Sequence, residues 1–196
     1  MQIETIAITG GIGSGKSVVC RMLAYMGHEV YDCDSRAKAI MDHSRQIKES
    51  ISARISPDCI TPEGDIDRKM LSSIVFADSA MLETLNAIVH QAVREDICRH
   101  REALGQAGVE KVFVETAILY QSGLDMMVDE VWEVTAPIPL RIERVCRRNS
   151  VTPAEASARI EAQEAYRPDR SHNRIRYIAN DGIHPLLPRL NSLLSK

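Results

Sequence analysis

Gly10-Gly11-Ile12-Gly13-Ser14-Gly15-Lys16-Ser17 matches the phosphate-loop pattern G-x-x-x-x-G-K-S in full. The glycines let the backbone curl so that successive N–H groups converge on phosphate oxygens. A helix opening near Lys16 adds the positive end of its dipole. Lys16 is then placed to bridge the β- and γ-phosphates, and the Ser17 hydroxyl to hold Mg²⁺. A glycine-rich turn without a ligand has a similar composition. The context here is the one the motif requires, with an apolar β-branched run before it (Ile3 to Thr9) and helical spacing after it (Val18, Val19, Met22, Leu23, Met26).

A phosphate loop alone does not choose a reaction. The chain has no N-K-x-D or D-x-x-G, as GTPases need, and no L-S-G-G-Q of transporter ATPases. The later strand candidates end at Glu115 and Thr135 rather than at a metal-binding Asp, and the acids follow the second strand instead, at Asp32 and Asp34. In an extended segment these two positions point the same way, so both are expected at the carboxyl ends of the strands, beside the loop. One carboxylate can orient an acceptor hydroxyl and take its proton, and a second can help hold Mg²⁺ through water. The competing reading is that Asp34 caps the next helix.

Four arginines, Arg141, Arg144, Arg147 and Arg148, lie on one helical stretch, with Arg159 and Arg167 beyond it. Guanidinium forks suit the spread charge of a transferring phosphoryl group, and a helical pair bearing them can close as a lid and exclude water. Taken alone, the stretch reads rather as a salt-bridged surface with Glu143, Glu155, Glu161 and Glu164, and the phosphate loop without a metal-binding Asp shifts the balance toward a lid. Arg144 and Arg148, spaced i, i+4, share a face and are the preferred pair.

The elements that must position these groups alternate. Strands are expected at Ile3–Thr9, Glu29–Cys33, Lys111–Glu115, Val131–Thr135 and Arg176–Ala179, with helices between them. This predicts an α/β fold with a mostly parallel sheet flanked by helices, of the P-loop NTPase type. Residues 45–101 show little strand signal and several apolar helical faces, so they read as a helical insertion. Thr152-Pro153-Ala154-Glu155 has a helix-start pattern, and Tyr166-Arg167-Pro168 reads as the end of that helix. The chain of 196 residues, 44% apolar and 26% charged, can bury a core without staples. A net charge of -3 and 4% aromatics argue against a nucleic-acid partner. No run is long and apolar enough to span a bilayer, the N-terminus lacks a basic signal region, and five scattered cysteines without C-x-x-C fit a reducing cytoplasm.

Across nearly its whole length the sequence resembles the dephospho-CoA kinases. The resemblance runs through I-T-G-G-I-G-S-G-K-S (Ile8 to Ser17), V-Y-D-C-D (Val30 to Asp34) and G-D-I-D-R-K-M-L (Gly64 to Leu71). It continues in L-N-A-I-V-H (Leu85 to His90, with Gln91 in place of the family's proline), R-I-E-A-Q (Arg159 to Gln163) and I-A-N-D-G (Ile178 to Gly182). Gln121, Asn149 and Ile175 depart from the family's usual acids. The resemblance implies ATP-dependent, Mg²⁺-assisted phosphorylation of the ribose 3′-hydroxyl of dephospho-CoA, the last step of coenzyme A synthesis. It implies a nucleotide core at 1–42, 106–140 and 172–196, a helical acceptor region at 43–105 and a lid at 141–171. Gly11, Ile12, Gly13, Ser14, Gly15, Lys16, Ser17 and Asn180 match the ATP site, and Ser17 the metal. Asp34 matches the general base, and Arg144 and Arg148 the lid arginines. Asp67, Arg68 and His90 fall on the acceptor side. A cytoplasmic monomer or weak homo-oligomer, with no nucleic-acid or membrane partner, is the accompanying expectation. A kinase for another small acceptor and a nucleotide-binding module without transfer chemistry are the rival readings.

Overall fold

The computed structural model describes residues 3–165 and 172–195, and the expected helix end at Tyr166-Arg167-Pro168, with Arg167 itself, lies outside them. The strands are β1 (Glu4–Thr9), β2 (Glu29–Asp32), β3 (Lys111–Glu115), β4 (Glu130–Thr135) and β5 (Ile175–Ala179). They form one sheet in the order β2-β3-β1-β4-β5. β1 pairs in parallel with β3 and β4, and β4 with β5. This is the α/β fold with a parallel sheet flanked by helices, of the P-loop NTPase type, that the alternating pattern predicts. β1 is central, and its apolar residues are buried on both faces, Ile6, Ala7 and Ile8 alike.

The helices are α1 (Lys16–Tyr25), α2 (Cys33–His43), α3 (Arg45–Arg54), α4 (Arg68–Ala77), α5 (Ser79–Gln106), α6 (Ile138–Asn149), α7 (Pro153–Ala165) and α8 (Leu186–Leu194). The chain divides into two compact units, residues 1–31 with 104–196, and residues 32–103. Each has its own core. In the first, Ile6, Ile8, Phe113, Trp132 and Ile178 of the sheet pack with Val19 and Leu23 of α1 and Leu190 and Leu193 of α8. In the second, Ile47, Ile51, Leu71, Val75 and Ile88 form an all-helical core with Cys59.

Local signals account for most boundaries. Thr152 and Glu155 make a reciprocal capping box at the start of α7: the Glu155 carboxylate accepts from Thr152 N–H at 2.8 Å, and Thr152 Oγ1 accepts from Glu155 N–H at 3.3 Å. Asp67 caps α4 by accepting from the N–H groups of Lys69 and Met70, both at 2.9 Å. β5 is held to β4 by charge as well as by the ladder. Glu130, buried on β4, accepts from Arg174 at 2.8 Å, Arg176 at 2.5 Å and Trp132 Nε1 at 2.7 Å. Burial pushes its carboxyl up, but the hydrogen bonds from Trp132 and Arg176 and the two arginine charges outweigh this and hold it below the usual range.

Candidate active site

β1 delivers the chain to the glycine loop at the carboxyl edge of the sheet, where parallel α/β folds bind ligands. The loop is a strained curl. Gly13 has φ 78° and Gly15 φ 97°, left-handed conformations that a side chain disfavours. Gly13 also lacks room, since a Cβ there would lie 2.6 Å from the carbonyl oxygen of Arg141. Ser14 N–H closes a turn onto the Gly11 carbonyl at 3.1 Å. α1 then starts at Lys16 with no side-chain cap, so its dipole points into the loop. Lys16 Nζ lies back along the loop, donating to the Gly10 carbonyl at 2.8 Å. Ser17 is exposed on the first turn of α1.

The carbonyl side of the loop is bonded to side chains. Arg144, on α6, donates through Nη1 to the carbonyls of Gly13 at 3.3 Å and Ser14 at 3.2 Å. Its Nη2 reaches Asn180, to the backbone carbonyl at 3.1 Å and the side-chain Oδ1 at 3.3 Å. Asn180, buried just past β5, donates Nδ2 to the Ser14 carbonyl at 2.8 Å. A trans peptide directs its C=O and the next N–H in opposite senses. Engaging the Ser14 carbonyl in this way turns the Gly15 N–H to the other side of the loop. Asn180, expected at the nucleotide, and Arg144, expected as a lid arginine, therefore meet at the loop. Arg148 does not join them: it is exposed, and its Nε bonds the Asn149 side chain at 2.8 Å.

Arg141 and Gln163 also reach this loop, at Ile12. The i, i+4 rule favoured Arg144 with Arg148, but Arg141 lies three residues before Arg144 and shares its face equally well. Gln163 carried one signal, its place in R-I-E-A-Q. Glu115 ends β3 beside Ile8 in the register, one residue from the end of β1.

In the second unit the acids require a correction. Asp34 does not lie in an extended segment, so strand alternation does not align it with Asp32. It sits in the first turn of α2, and Asp32 is the N-cap, accepting from Asp34 N–H at 3.0 Å and Ser35 N–H at 3.2 Å. The alternative in which Asp34 itself caps the helix is excluded on the same ground. Ser35 Oγ donates to the other Asp32 oxygen at 2.6 Å, so Asp32 is committed to the helix start. The Asp34 carboxylate is exposed and has no hydrogen bond or ion pair among the described residues.

The three acceptor-side candidates are dispersed within this unit. Asp67 is the cap of α4, and Arg68 pairs with Asp42 at 2.5 Å. His90 is half-buried on α5, and desolvation, with the Arg94 charge, lowers its pKa. The unit instead presents a cavity of about 400 Å³ lined by Arg36, Arg54 and Arg99 together with Ile40, Ile47 and Ile88. Asp96, buried on α5, orients two of these arginines, accepting from Arg36 at 2.6 and 2.9 Å and from Arg99 at 3.5 Å. Gln91, at the position of the family's proline, also lines the cavity and bonds Glu95 at 3.0 Å.

Mg²⁺ binds ATP sites through one or two protein oxygens plus phosphates and water. An exposed Ser17 hydroxyl at the loop's end suits that role, and no His/Cys/Asp/Glu cluster fit for a metal occurs among the described residues. No helix among them is long and apolar enough to cross a membrane.

Known proteins resemble this chain in sequence and in fold. The sequence model of the dephospho-CoA kinase family matches residues 4–184. A dephospho-CoA kinase of Moorella thermoacetica is 39% identical over 159 residues, 81% of this chain and 75% of that protein. One of Porphyromonas gingivalis is 35% identical over 186 residues, 95% and 90% of the two chains. Among solved structures, TT1252 from Thermus thermophilus superposes with a TM-score of 0.75 at 31% identity, covering 100% of this chain and 98% of that one. A dephospho-CoA kinase from Campylobacter jejuni shares the fold, with a TM-score of 0.66 at 22% identity over 97% and 95% of the chains.

Proposed function

The chain belongs to the dephospho-CoA kinase family, and on that premise we propose how its residues transfer a phosphoryl group from ATP to dephospho-CoA. The reaction is the last step of coenzyme A synthesis, with the ribose 3′-hydroxyl as acceptor and CoA and ADP as products. The observation that carries the reading is the loop from Gly10 to Ser17. Its carbonyls at Ile12, Gly13 and Ser14 accept hydrogen bonds from side chains of the same unit, which turns amides toward an anion before one arrives. Such preorganisation stabilises a charged transition state at no reorganisation cost during the reaction.

In this reading the loop amides hold the ATP phosphates, and Lys16 swings from the Gly10 carbonyl onto the β- and γ-phosphates. Ser17 gives one ligand to Mg²⁺, whose charge, when bound, offsets that of the phosphates. Asp34 orients the ribose hydroxyl and accepts its proton as the oxygen attacks the γ-phosphorus and the bond to ADP breaks. Its unpaired carboxylate supports that role, and the commitment of Asp32 to the α2 cap supports Asp34 over Asp32. Arg144 adds positive charge at the loop, and Arg148 is the outer arginine of a lid at 141–171. The arginine-lined cavity of residues 32–103 supports assigning the acceptor to the helical region, because guanidinium forks suit a pyrophosphate and the isoleucines suit an alkyl arm.

The test is ADP release measured over an acceptor panel, with Asp34→Asn alongside. Dephospho-CoA is expected to be preferred over nucleosides and nucleoside monophosphates. Asp34→Asn is expected to lower kcat by roughly 10²-fold or more with ATP affinity unchanged. A preference for a nucleoside monophosphate, or full activity without the Asp34 carboxylate, overturns the reading.

A further inference from the structure

The outer tip of the phosphate loop is held on both of its peptide faces by one helical pair. Ile12 N–H donates to Gln163 Oε1 of α7 at 2.5 Å, and the Ile12 carbonyl accepts from Arg141 Nε of α6 at 2.9 Å. Arg141 is itself fixed. Its Nη1 donates to Glu164, the neighbour of Gln163, at 2.6 Å, and its side chain is only 9% exposed. Its Nη2 is buried with no hydrogen-bond partner among the described residues, an arrangement that costs free energy. The guanidinium lies against the Gly11 backbone, where a Cβ would collide with it. The site therefore holds a charged group in one place against its own desolvation.

Fixing the Ile12 carbonyl has a consequence one peptide further on. The Gly13 N–H belongs to the same planar unit and must point away from Arg141. Without the Arg141 bond that peptide can flip, because Gly13 is already in a left-handed conformation open to it (φ 78°). Gln163 fixes the preceding unit, so the peptides on both sides of Ile12 are locked together.

We propose that Arg141 and Gln163 are positioning residues for phosphoryl transfer: they lock the two peptide units of Ile12 so that the Gly13 N–H is aimed at a nucleotide phosphate before it binds. Neither side chain needs to touch the substrate, and Glu164 acts by orienting Arg141. The proposal rests on the loop being the ATP phosphate site.

The test uses the full chain with Gln163→Met, which keeps the length and shape of the side chain and removes its strong acceptor, and Arg141→Lys, which keeps the charge and removes the fork. ADP binding is measured by titration, and KM is measured separately for ATP and for dephospho-CoA. Gln163→Met is expected to weaken ADP binding and raise the ATP KM about tenfold, the scale of one hydrogen bond in a partly buried site. The dephospho-CoA KM should stay within about twofold, and the Ile12 amide should exchange its proton faster. Arg141→Lys should act in the same direction and more strongly. A Gln163→Met enzyme with unchanged ADP affinity and ATP KM overturns the proposal, as does a parallel rise in both KM values, which marks general loosening. If Arg141→Lys does not fold, Gln163→Met decides alone. ADP titration needs no acceptor, so a wrong acceptor assignment would appear in wild-type turnover and leave this outcome readable.

Discussion

The glycine loop of the first unit and the helical second unit handle their polar groups in opposite ways. Around the loop, side chains far apart in sequence serve the backbone: Arg141, Arg144, Gln163 and Asn180 all bond its main chain. In the second unit, side chains mostly serve one another or a nearby helix end. Asp32 and Asp67 cap helices, Arg68 pairs with Asp42, and Arg36 and Arg99 share Asp96. On the proposed function the loop recognises phosphate through repeating N–H groups, so that site is built from backbone and must be stiff. On the same proposal the acceptor, with a ribose, a pyrophosphate and a long arm, meets side chains around a cavity, and small exchanges there retune the fit. Substitutions near the loop should therefore change the chemistry, while those in the helical unit should change acceptor affinity or stability and leave the donor side alone.

The strongest challenge to that contrast is Lys16→Ala, which removes the one loop side chain expected on the transferring phosphate. Turnover should fall by roughly 10³-fold, about 4 kcal/mol of transition-state stabilisation, with little change in the melting temperature. A loss below tenfold in a single-turnover assay would mean that the loop amides suffice. Next comes Glu130→Gln in β4, a stability effect inside the first unit. Replacing an anion that bonds Arg174, Arg176 and Trp132 should cost about 2 kcal/mol at pH 7, less than a fully buried pair because the arginines are partly exposed. Because the folded carboxyl is held below its unfolded value, this stabilisation is present above about pH 4.5 and is lost as pH falls through the lowered folded value. Urea melts should show the gap to wild type closing in acid, and a gap independent of pH would contradict the ion-pair account.

In the helical unit, Arg54→Ala with Arg99→Ala should raise the dephospho-CoA KM about tenfold at unchanged ATP KM, the loss of charge-assisted contacts to one anionic group. Equal shifts in both KM values would remove the division of labour between the two regions. The smallest effect is expected at the α2 cap. Asp32→Ala should destabilise by about 1 kcal/mol, whereas Asp32→Ser should recover most of that loss in thermal melts. If Asp32→Ser keeps stability but loses turnover as Asp34→Asn does, Asp32 has a chemical role beyond the cap.

How much of this could be read in advance followed the range of each interaction. The loop, the alternating strands and the α7 capping box are local patterns, and residues within four or five positions specify them. Asp32 and Asp34 show where local reading fails. Two rules, strand alternation and helix capping, compete across a strand–helix junction, and the start of α2 at Cys33, inside the expected strand, decided which acid caps and which stays exposed. Arg141 and Arg148 show a second failure. Helical spacing names a face but not what the face meets, and at Arg141 it meets the loop from 129 positions away. In the acceptor region, Asp67 and Arg68 belong to a motif yet hold a helix end and an ion pair. The cavity is lined instead by Arg36, Arg54 and Arg99, which no spacing rule picked out.

The amino-acid order alone established a glycine curl between a buried strand and a helix and a carboxylate after the next strand, because dihedral freedom and periodicity act between near neighbours, and its motifs carried the resemblance to a family. It could not say which side chains would hold that curl's carbonyls or which arginines would surround a cavity. Those pairings join residues more than a hundred positions apart in the first unit and up to about 60 apart in the second. They exist only once the sheet and the helical core have packed, so it was packing, and not local sequence, that chose them.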